Sequence, residues 1–190
     1  FRHFPDRGFS LAKIQGVVLV SYLIWFSTSC GLIHYYRHFI ILILLLYVII
    51  NFILLFYQFE RIFEFVKTHM KLFLLIEGIF LVFFLGYVII RMYNPDLTGA
   101  EKEADFTLLN AILHSKTFPP KDTWFAGSTI NYYYFGYLIW ATVIKLTGII
   151  SPIGFNLALT TTVALAATGA FGLVYYFTQR ISYSIVSSLL

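Results

Sequence analysis

The chain alternates long apolar segments with short polar connections. A helix needs about 20 apolar residues to cross a bilayer core, because its backbone polar groups must be satisfied within the segment. The segments that meet this requirement are residues 14–33, 39–57, 72–90, 132–149 and 155–177. Residues 181–190 have the composition of the first half of a further one. The pattern predicts an all-α, polytopic membrane helical bundle of five full spans plus a partial sixth.

Two polar stretches between these segments predict helices of another kind. Residues 57–71, YQFERIFEFVKTHMK, combine aromatic and basic side chains and indicate a helix that lies in the membrane interface. In the loop 92–131, Thr98 and Glu101 have the capping-box spacing that starts a helix. We expect this amphipathic helix over residues 99–114. The chain is therefore divided into two N-terminal spans with an interfacial linker, 1–71, and a membrane module, 72–190, with the outer loop 92–131.

Composition supports the membrane assignment. Hydrophobic residues make up 59% of the chain and charged residues 12%, which is far from the averages of soluble domains. The net charge of +4 suits contact with anionic membrane lipids, so no nucleic acid partner is needed to explain it. Because Cys30 is the single cysteine, an intrachain disulfide is excluded. The chain starts at Phe1 and stops inside an apolar run, and we expect it to be part of a longer polypeptide.

The distribution of lysine and arginine predicts the orientation. The basic residues near the span ends are more numerous on the side of residues 2–13, 61–71 and 145 than in the short connections that hold Arg37, Arg91 and Arg180. The richer side is predicted to be cytoplasmic. The loop 92–131, with Lys102, Lys116 and Lys121, then lies outside.

Three carboxylates stand at the start of the predicted loop helix: Glu101, Glu103 and Asp105. One interpretation is that they cap the helix and favour its positive end. Asp105 lies beyond the first turn, where that effect fades, and at the edge of the apolar stripe. The other interpretation is that Asp105, with Glu101, faces a cavity at the membrane surface and binds a divalent cation or takes a proton from a hydroxyl group.

Other polar residues have structural and functional interpretations. Glu77, inside the third apolar segment, needs a partner from a neighbouring helix or a proton. Asp122 follows a Pro-Pro turn and is typical of a turn residue; the other interpretation is that it takes part in substrate binding. Tyr132, Tyr133 and Tyr134 open the fourth predicted span, and an aromatic belt is one interpretation; the other is that one or two of them, with Asn131, line a cavity and contact a sugar.

In the fifth span, Thr162, Ala166 and Ala170, near Gly169 and Gly172, indicate close helix packing.

Several motifs follow one another in an order that resembles the YYY-domain family, multi-span membrane proteins of archaea and some bacteria. They are Glu77, Arg91-Met92-Tyr93-Asn94-Pro95, Glu101-Lys102 with Asp105, Phe118-Pro119-Pro120, Asp122-Thr123-Trp124, Ala126-Gly127 and Ile130-Asn131-Tyr132-Tyr133-Tyr134-Phe135-Gly136. The family is similar to the C-type (GT-C) glycosyltransferases, which take a sugar from a polyprenyl phosphate. The chain departs from the expected pattern at Glu103-Ala104, where Pro-Met is expected.

The resemblance implies a glycosyltransferase at the outer face of a prokaryotic cell membrane, multi-pass, with a polyprenyl-phosphate sugar as donor. It implies that Asp105 is the acid of the active site and holds Mg or Mn if a divalent cation is used. Transfer from a lipid phosphate also needs cations for the leaving phosphate. The loop contributes Arg91, Lys102, Lys116 and Lys121, each of which has membrane lipid or water as its alternative partner.

Two alternatives from other classes stay open. The protein is a non-catalytic subunit or scaffold of a membrane complex if the loop helix docks a protein partner and its acids are caps. A transporter is less consistent with the sequence, because apart from Glu77 the spans hold few polar residues and no paired broken helices.

Overall fold

The computed structural model describes residues 4–99 and 101–190, and this part of the chain is all-α, as predicted. An isolated bridge between Lys121 and Thr129 is its only β pairing. The helices are α1 (Phe9–Ser29), α2 (Arg37–Tyr57), α3 (Phe59–Tyr93), α4 (Lys102–His114), α5 (Phe135–Thr147), α6 (Ser151–Thr178) and α7 (Ile181–Leu189).

The number of spanning helices differs from the prediction. Within the described residues, four helices are long and apolar enough to cross a membrane: α1, α2, α3 and α6. The predicted fourth span contains α5, whose 13 residues give a length of about 20 Å against a core of about 30 Å. The helix is short because Tyr132 to Tyr134 precede it and because Gly148, at φ 76°, ends it in the left-handed conformation. The predicted partial sixth span contains the nine-residue α7.

Helix α3 joins two predicted elements. It runs for 35 residues and includes both the predicted interfacial helix and the third apolar segment. His69 has non-helical backbone angles, φ −105° and ψ 15°, and divides the helix by a kink. The two elements are therefore continuous in hydrogen bonding but change direction two residues before the predicted boundary at residue 71.

The chain folds as two compact units. The first contains Phe1–Gly16, Asn51–Asn94 and Leu157–Leu190. Its core places Leu72 and Ile76 of α3 against the fully buried Phe171 of α6. Close approach requires Gly172, because a Cβ at this position would lie 2.0 Å from the Oγ atom of Ser10. The first turn of α1 therefore packs directly on the backbone of α6.

The packing face of α6 differs from the predicted one. Thr162 and Ala166 are exposed, whereas Ala164, Ala167, Thr168 and Phe171 are buried. Gly169 and Gly172 do lie at close contacts, with Ile14 and Ser10. The prediction of close packing at the glycines is confirmed, but the stripe through Thr162 and Ala166 was wrong because small residues occur on more than one face of this helix.

Glu77 has a partner in the first unit. Its carboxylate accepts a hydrogen bond from the Lys13 ammonium group and forms an ion pair with it. The ammonium also lies 5.0 Å from the ring centroid of Phe80 and 5.6 Å from that of Phe9, within the range of cation–π attraction. The predicted pairing of Glu77 with a neighbouring helix is therefore present.

The second unit contains Val17–Ile50 and Pro95–Asn156. Helices α4 and α5 pack together in it. Their contact buries Leu109 and Ile112 of α4 with Leu138 and Ala141 of α5, which belong to one hydrophobic cluster. Tyr35, in the connection between α1 and α2, is fully buried in the same cluster. These contacts fix the position of α4, which carries the predicted acid.

Candidate functional site

The start of α4 differs from the predicted capping box. The helix begins at Lys102 rather than at residue 99, and Glu101 forms no side-chain cap bond. The backbone of Glu101 already has near-helical angles, φ −81° and ψ −6°. The N–H group of Gly99 instead donates to Oε1 of Glu103, at 3.3 Å. Glu103 is thus the residue that satisfies a free amide, and Ala100 lies outside the described residues.

The amphipathic character of α4 is confirmed. Leu108, Leu109 and Ile112 are buried, while Glu103 and His114 on the other side are exposed. Asp105 is half-buried at the border of the two faces. Its position on the edge of the apolar stripe is therefore as the helical spacing indicated.

Asp105 receives a hydrogen bond from the next helix. The hydroxyl group of Tyr137, in the first turn of α5, donates to Oδ1 of Asp105 at 2.5 Å. The bond joins two helices whose residues lie 32 positions apart in sequence. Because the donor is neutral, it orients the carboxylate without a full opposite charge.

The three consecutive tyrosines have two environments. Tyr132 and Tyr133 are 54% and 70% exposed, and their ring centroids are 3.8 Å apart with a hydrogen bond between the hydroxyls. Tyr134 packs against the core, and its hydroxyl accepts a hydrogen bond from the indole N–H of Trp25, at 2.9 Å. The sequence placed all three in a helix, but they precede α5. Two of them are open to solvent or lipid, and one helps to hold the fold.

The exposed tyrosines lie within electrostatic range of the acids. The hydrogen bond with Tyr133 is the main cause that raises the pKa of Tyr132, to about 12, and the charges of Glu101 and Asp105 add to it. Tyr132 is therefore neutral at physiological pH, and both side chains present hydroxyl groups and ring faces. Glu101, Asp105, Tyr132, Tyr133 and Tyr137 form the cluster that we call the acid–tyrosine site.

The other predicted site residues are distributed more widely. Lys102 is the half-buried first residue of α4, and Asn131 is exposed in the segment before Tyr132. Asp122 has a turn role, since its Oδ1 atom accepts the N–H groups of Trp124 and Phe125, at 2.7 and 3.1 Å. Arg91 lies in the last turn of α3 and belongs to the first unit.

The carboxylates do not by themselves form a complete cation site. Across residues 4–99 and 101–190, no three His, Cys, Asp or Glu side chains come together as possible metal ligands. Mg²⁺ and Mn²⁺ favour oxygen ligands, and Mg²⁺ is usually bound through one or two carboxylates completed by water and substrate phosphates. Asp105, with Glu101 nearby, fits this incomplete type of site and not a closed protein cage.

A pocket lies at the opposite end of α4. Its volume is about 660 Å³. It is lined by His34, Tyr36, Ala111, His114, Ser115, Lys116, Thr117, Pro119, Lys121, Asp122 and Thr123. We call it the α4-end pocket. Lys116, Lys121 and Asp122 were identified from the sequence, but their assembly with His34 and His114 was not.

The sequence pattern did not predict the hydrogen bonds that Tyr137 and Trp25 donate in the second unit. Tyr137 and Trp25 occur in apolar segments, where each was counted as part of a span. A usable signal was present, because a tyrosine hydroxyl or an indole N–H in an apolar helix needs a hydrogen-bond partner. The identity of that partner depends on how the helices pack, which the sequence pattern does not contain.

Comparison with known proteins gives one result. The model of a family described as "Uncharacterized membrane protein (DUF2298)" matches residues 19–190. No curated protein and no solved structure matches the chain.

Proposed function

The chain belongs to the DUF2298 family of uncharacterized membrane proteins, and we propose that it acts there as a C-type glycosyltransferase. The donor is a polyprenyl-phosphate sugar, and the reaction takes place at the outer face of a prokaryotic cell membrane. The observation that carries this proposal is the half-buried Asp105 carboxylate, which is oriented by the Tyr137 hydroxyl beside two exposed tyrosine rings.

The site supports a defined role for each side chain. In glycosyl transfer, an acceptor hydroxyl forms a bond with the anomeric carbon, and the bond from that carbon to the phosphate oxygen breaks. The phosphate leaves with the electron pair, and the hydroxyl proton goes to Asp105 as general base. Tyr132 and Tyr133 offer ring faces and hydroxyl groups to the sugar, and Asn131 adds an amide.

The carboxylate is suited to this role by its environment. A hydrogen bond from Tyr137 holds Oδ1, and Asp105 has no ion pair within the described residues. Lys102, three residues earlier on α4, is a candidate cation for the donor phosphate. If a divalent cation takes part, Asp105 and Glu101 would hold it, and it would neutralise charge on the phosphate.

The decisive variant is Asp105→Asn, because the asparagine side chain keeps an oxygen that accepts the Tyr137 hydrogen bond and loses only the charge. In membranes that contain the full chain, we expect transfer of labelled sugar from membrane lipid to fall by roughly 10²- to 10⁴-fold. The matched control is Glu103→Gln, which makes the same change of charge two residues away on the exposed face. The control should retain transfer.

Unfolding of each variant in detergent distinguishes a lost catalyst from a lost fold. The glycosyltransferase proposal fails if Asp105→Asn transfers sugar as well as the unchanged protein does. It also fails if both variants lose transfer equally.

A non-catalytic scaffold is the second candidate. The Asp105–Tyr137 hydrogen bond favours it, because the bond alone explains why a half-buried carboxylate is tolerated between α4 and α5. In this case Asp105→Asn assembles normally with its membrane partners and no sugar transfer is found.

A further inference from the structure

We propose that the α4-end pocket binds the phosphate group of an organic phosphate, either the headgroup of a membrane lipid or a soluble phosphate ester. The side chains that would contact the phosphate are Lys116, Lys121, His34 and His114. The site is separate from the acid–tyrosine site, because His114 lies nine residues beyond Asp105 on α4, or about 13 Å along the helix axis.

The charges of the pocket favour an anion. Two lysines line it against one acid, Asp122, and the rings of His34 and His114 add nitrogen atoms that can form hydrogen bonds. Oδ1 of Asp122 already accepts two backbone N–H groups, so part of its charge is compensated within its own turn. Lys116 and Lys121 are exposed and have no ion-pair partner among the described residues. Their ammonium groups are therefore available to a ligand.

The end of α4 would oppose an anion if its carbonyl groups were unpaired, because a helix C-terminus carries partial negative charge. Here three carbonyls of the last turn, those of Ala111, Ile112 and Leu113, have donors. Those of Leu113 and Ser115 accept from the Lys145 ammonium, at 2.9 and 3.4 Å. Those of Ala111 and Ile112 accept from the N–H group of Ser115. The cation of Lys145 thus offsets the partial negative charge at the C-terminal end of α4.

His114 is oriented by the same turn. Its Nδ1 atom lies 2.8 Å from the carbonyl oxygen of Asn110, an acceptor, which assigns the proton to Nδ1. The Nε2 atom is therefore the one left for a ligand, and it becomes a second donor when the ring is protonated. Tyr36, Thr117 and Thr123 bring hydroxyl groups to the same lining.

The walls of the pocket are held by backbone hydrogen bonds. The N–H group of Tyr35 donates to the carbonyl of Lys116, at 2.8 Å. This bond joins the connection between α1 and α2 to the segment that follows α4. On the other side, the N–H group of Asp122 donates to the carbonyl of Ser128, and that of Ile130 to Pro120, both at 2.9 Å. The two lysines thus stand on backbone that is fixed before a ligand arrives, which reduces the entropic cost of binding.

The volume indicates what is attached to the phosphate. At about 660 Å³, the pocket is in the range of sites for whole small molecules and is much larger than one phosphate group needs. A phosphate with a polar organic substituent, such as a glycerol or sugar phosphate, therefore fits better than inorganic phosphate.

The test uses the full chain in dodecyl maltoside micelles, which carry no phosphate, with binding of glycerol phosphate measured by calorimetry. The double variant Lys116→Gln/Lys121→Gln is expected to bind at least about tenfold more weakly. Its matched control is Lys67→Gln/Lys71→Gln, which removes the same charge from exposed positions of the first unit and should bind like the unchanged protein.

The same titration in nanodiscs that contain phosphatidylglycerol separates the two ligand sources. Loss of glycerol phosphate binding in these nanodiscs identifies a lipid headgroup as the occupant, and unchanged binding identifies a soluble ester. The proposal is overturned if the protein in the micelles shows no binding up to about 10 mM ligand, if the pocket variant binds normally, or if both double variants lose affinity equally. None of these outcomes depends on sugar transfer at Asp105.

Discussion

Two carboxylates that lie beside apolar side chains, Glu77 and Asp105, are stabilised in different ways. Glu77, in the first unit, is paired with the ammonium group of Lys13 between two aromatic rings. Asp105, in the second unit, accepts a hydrogen bond from the neutral hydroxyl of Tyr137. An ion pair cancels the charge of the carboxylate, whereas a hydroxyl bond leaves that charge available.

The difference separates a structural acid from a candidate reactive one. The Lys13–Glu77 pair is fully explained by the cost of placing a charge in an apolar helix. The Asp105–Tyr137 bond fixes a geometry but does not explain why the residue is an acid, since an asparagine would accept the same bond. A carboxylate whose charge the fold does not use is the better candidate for chemistry.

The largest expected effect on stability comes from removing the Lys13 cation from its ion pair with Glu77. Lys13→Met leaves Glu77 without its counter-charge in an apolar helix, so we expect the free energy of unfolding in detergent to fall by about 3 kcal/mol. The double variant Lys13→Met/Glu77→Met should recover most of this loss, because it removes both charges. If the single variant is as stable as the unchanged protein, Glu77 is not held by this pair.

The stability of the protein at alkaline pH tests whether Tyr35 is buried in the second unit as a neutral phenol. Burial raises the pKa of Tyr35 above its ordinary value of 10.0, so in the folded protein the hydroxyl keeps its proton after the unfolded chain has begun to lose it. The contribution of the raised Tyr35 pKa to the free energy of unfolding is complete below pH 10.0 and is lost as the pH rises toward the pKa in the folded protein. Between about pH 8 and about pH 11, this costs roughly 1.4 kcal/mol in the unfolding free energy.

The matched variant for that test is Tyr35→Phe. It gives up the hydrogen bond with Thr142, 3.1 Å long, at every pH, but it has no phenol to ionise. Its loss of stability over the same pH interval should therefore be smaller than that of the unchanged protein. Equal losses in unfolding titrations of the two proteins would contradict the assignment.

Tyr137→Phe is expected to cost about 1 kcal/mol in unfolding free energy, because Asp105 loses its donor but remains half-exposed to solvent. Asp105→Asn should cost less than Tyr137→Phe, since the hydrogen bond survives. At Glu77, by contrast, the ion pair with Lys13 stabilises the charge itself. Should Asp105→Asn prove the more damaging to the fold, Asp105 would also be a structural acid.

The smallest effect is expected for Glu101→Gln. Glu101 is exposed and makes no cap bond, so the unfolding free energy should change by only a few tenths of a kcal/mol. Its charge does reach Tyr132, and removing it should lower the pKa of that phenol slightly. NMR titration of labelled tyrosine measures this shift, and an unchanged pKa would show that Glu101 is not part of the acid–tyrosine site.

The sequence predicted what depends on composition and local periodicity. Helix α2 and the buried face of α4 follow from runs of apolar residues at fixed spacing, and the edge position of Asp105 follows from the same geometry. The length of α5 was overestimated because hydropathy counts Tyr132 to Tyr134 as apolar and does not register the left-handed turn at Gly148.

What the sequence could not provide are the pairings between distant segments. The partners of Asp105 and Glu77 lie 32 and 64 positions away, and the rotation of the helices about their axes decides which side chains meet. The face of α6 was misjudged for the same reason, since its small residues permit several rotations. The α4-end pocket combines two stretches of chain that are far apart in sequence, 34–36 and 111–123, and no local pattern predicts it.

Lys145 also has a consequence for motion. Its ammonium group bonds the carbonyls of Leu113 and Ser115 and lies 4.0 Å from the ring centroid of Tyr35. The Lys145 ammonium thereby connects three segments that are far apart in sequence: Tyr35 through its ring, residues 113–115 through their carbonyls, and α5, which carries Lys145 itself. Any opening of one stretch must release the other two, so their amide protons should exchange with deuterium as a single cooperative group.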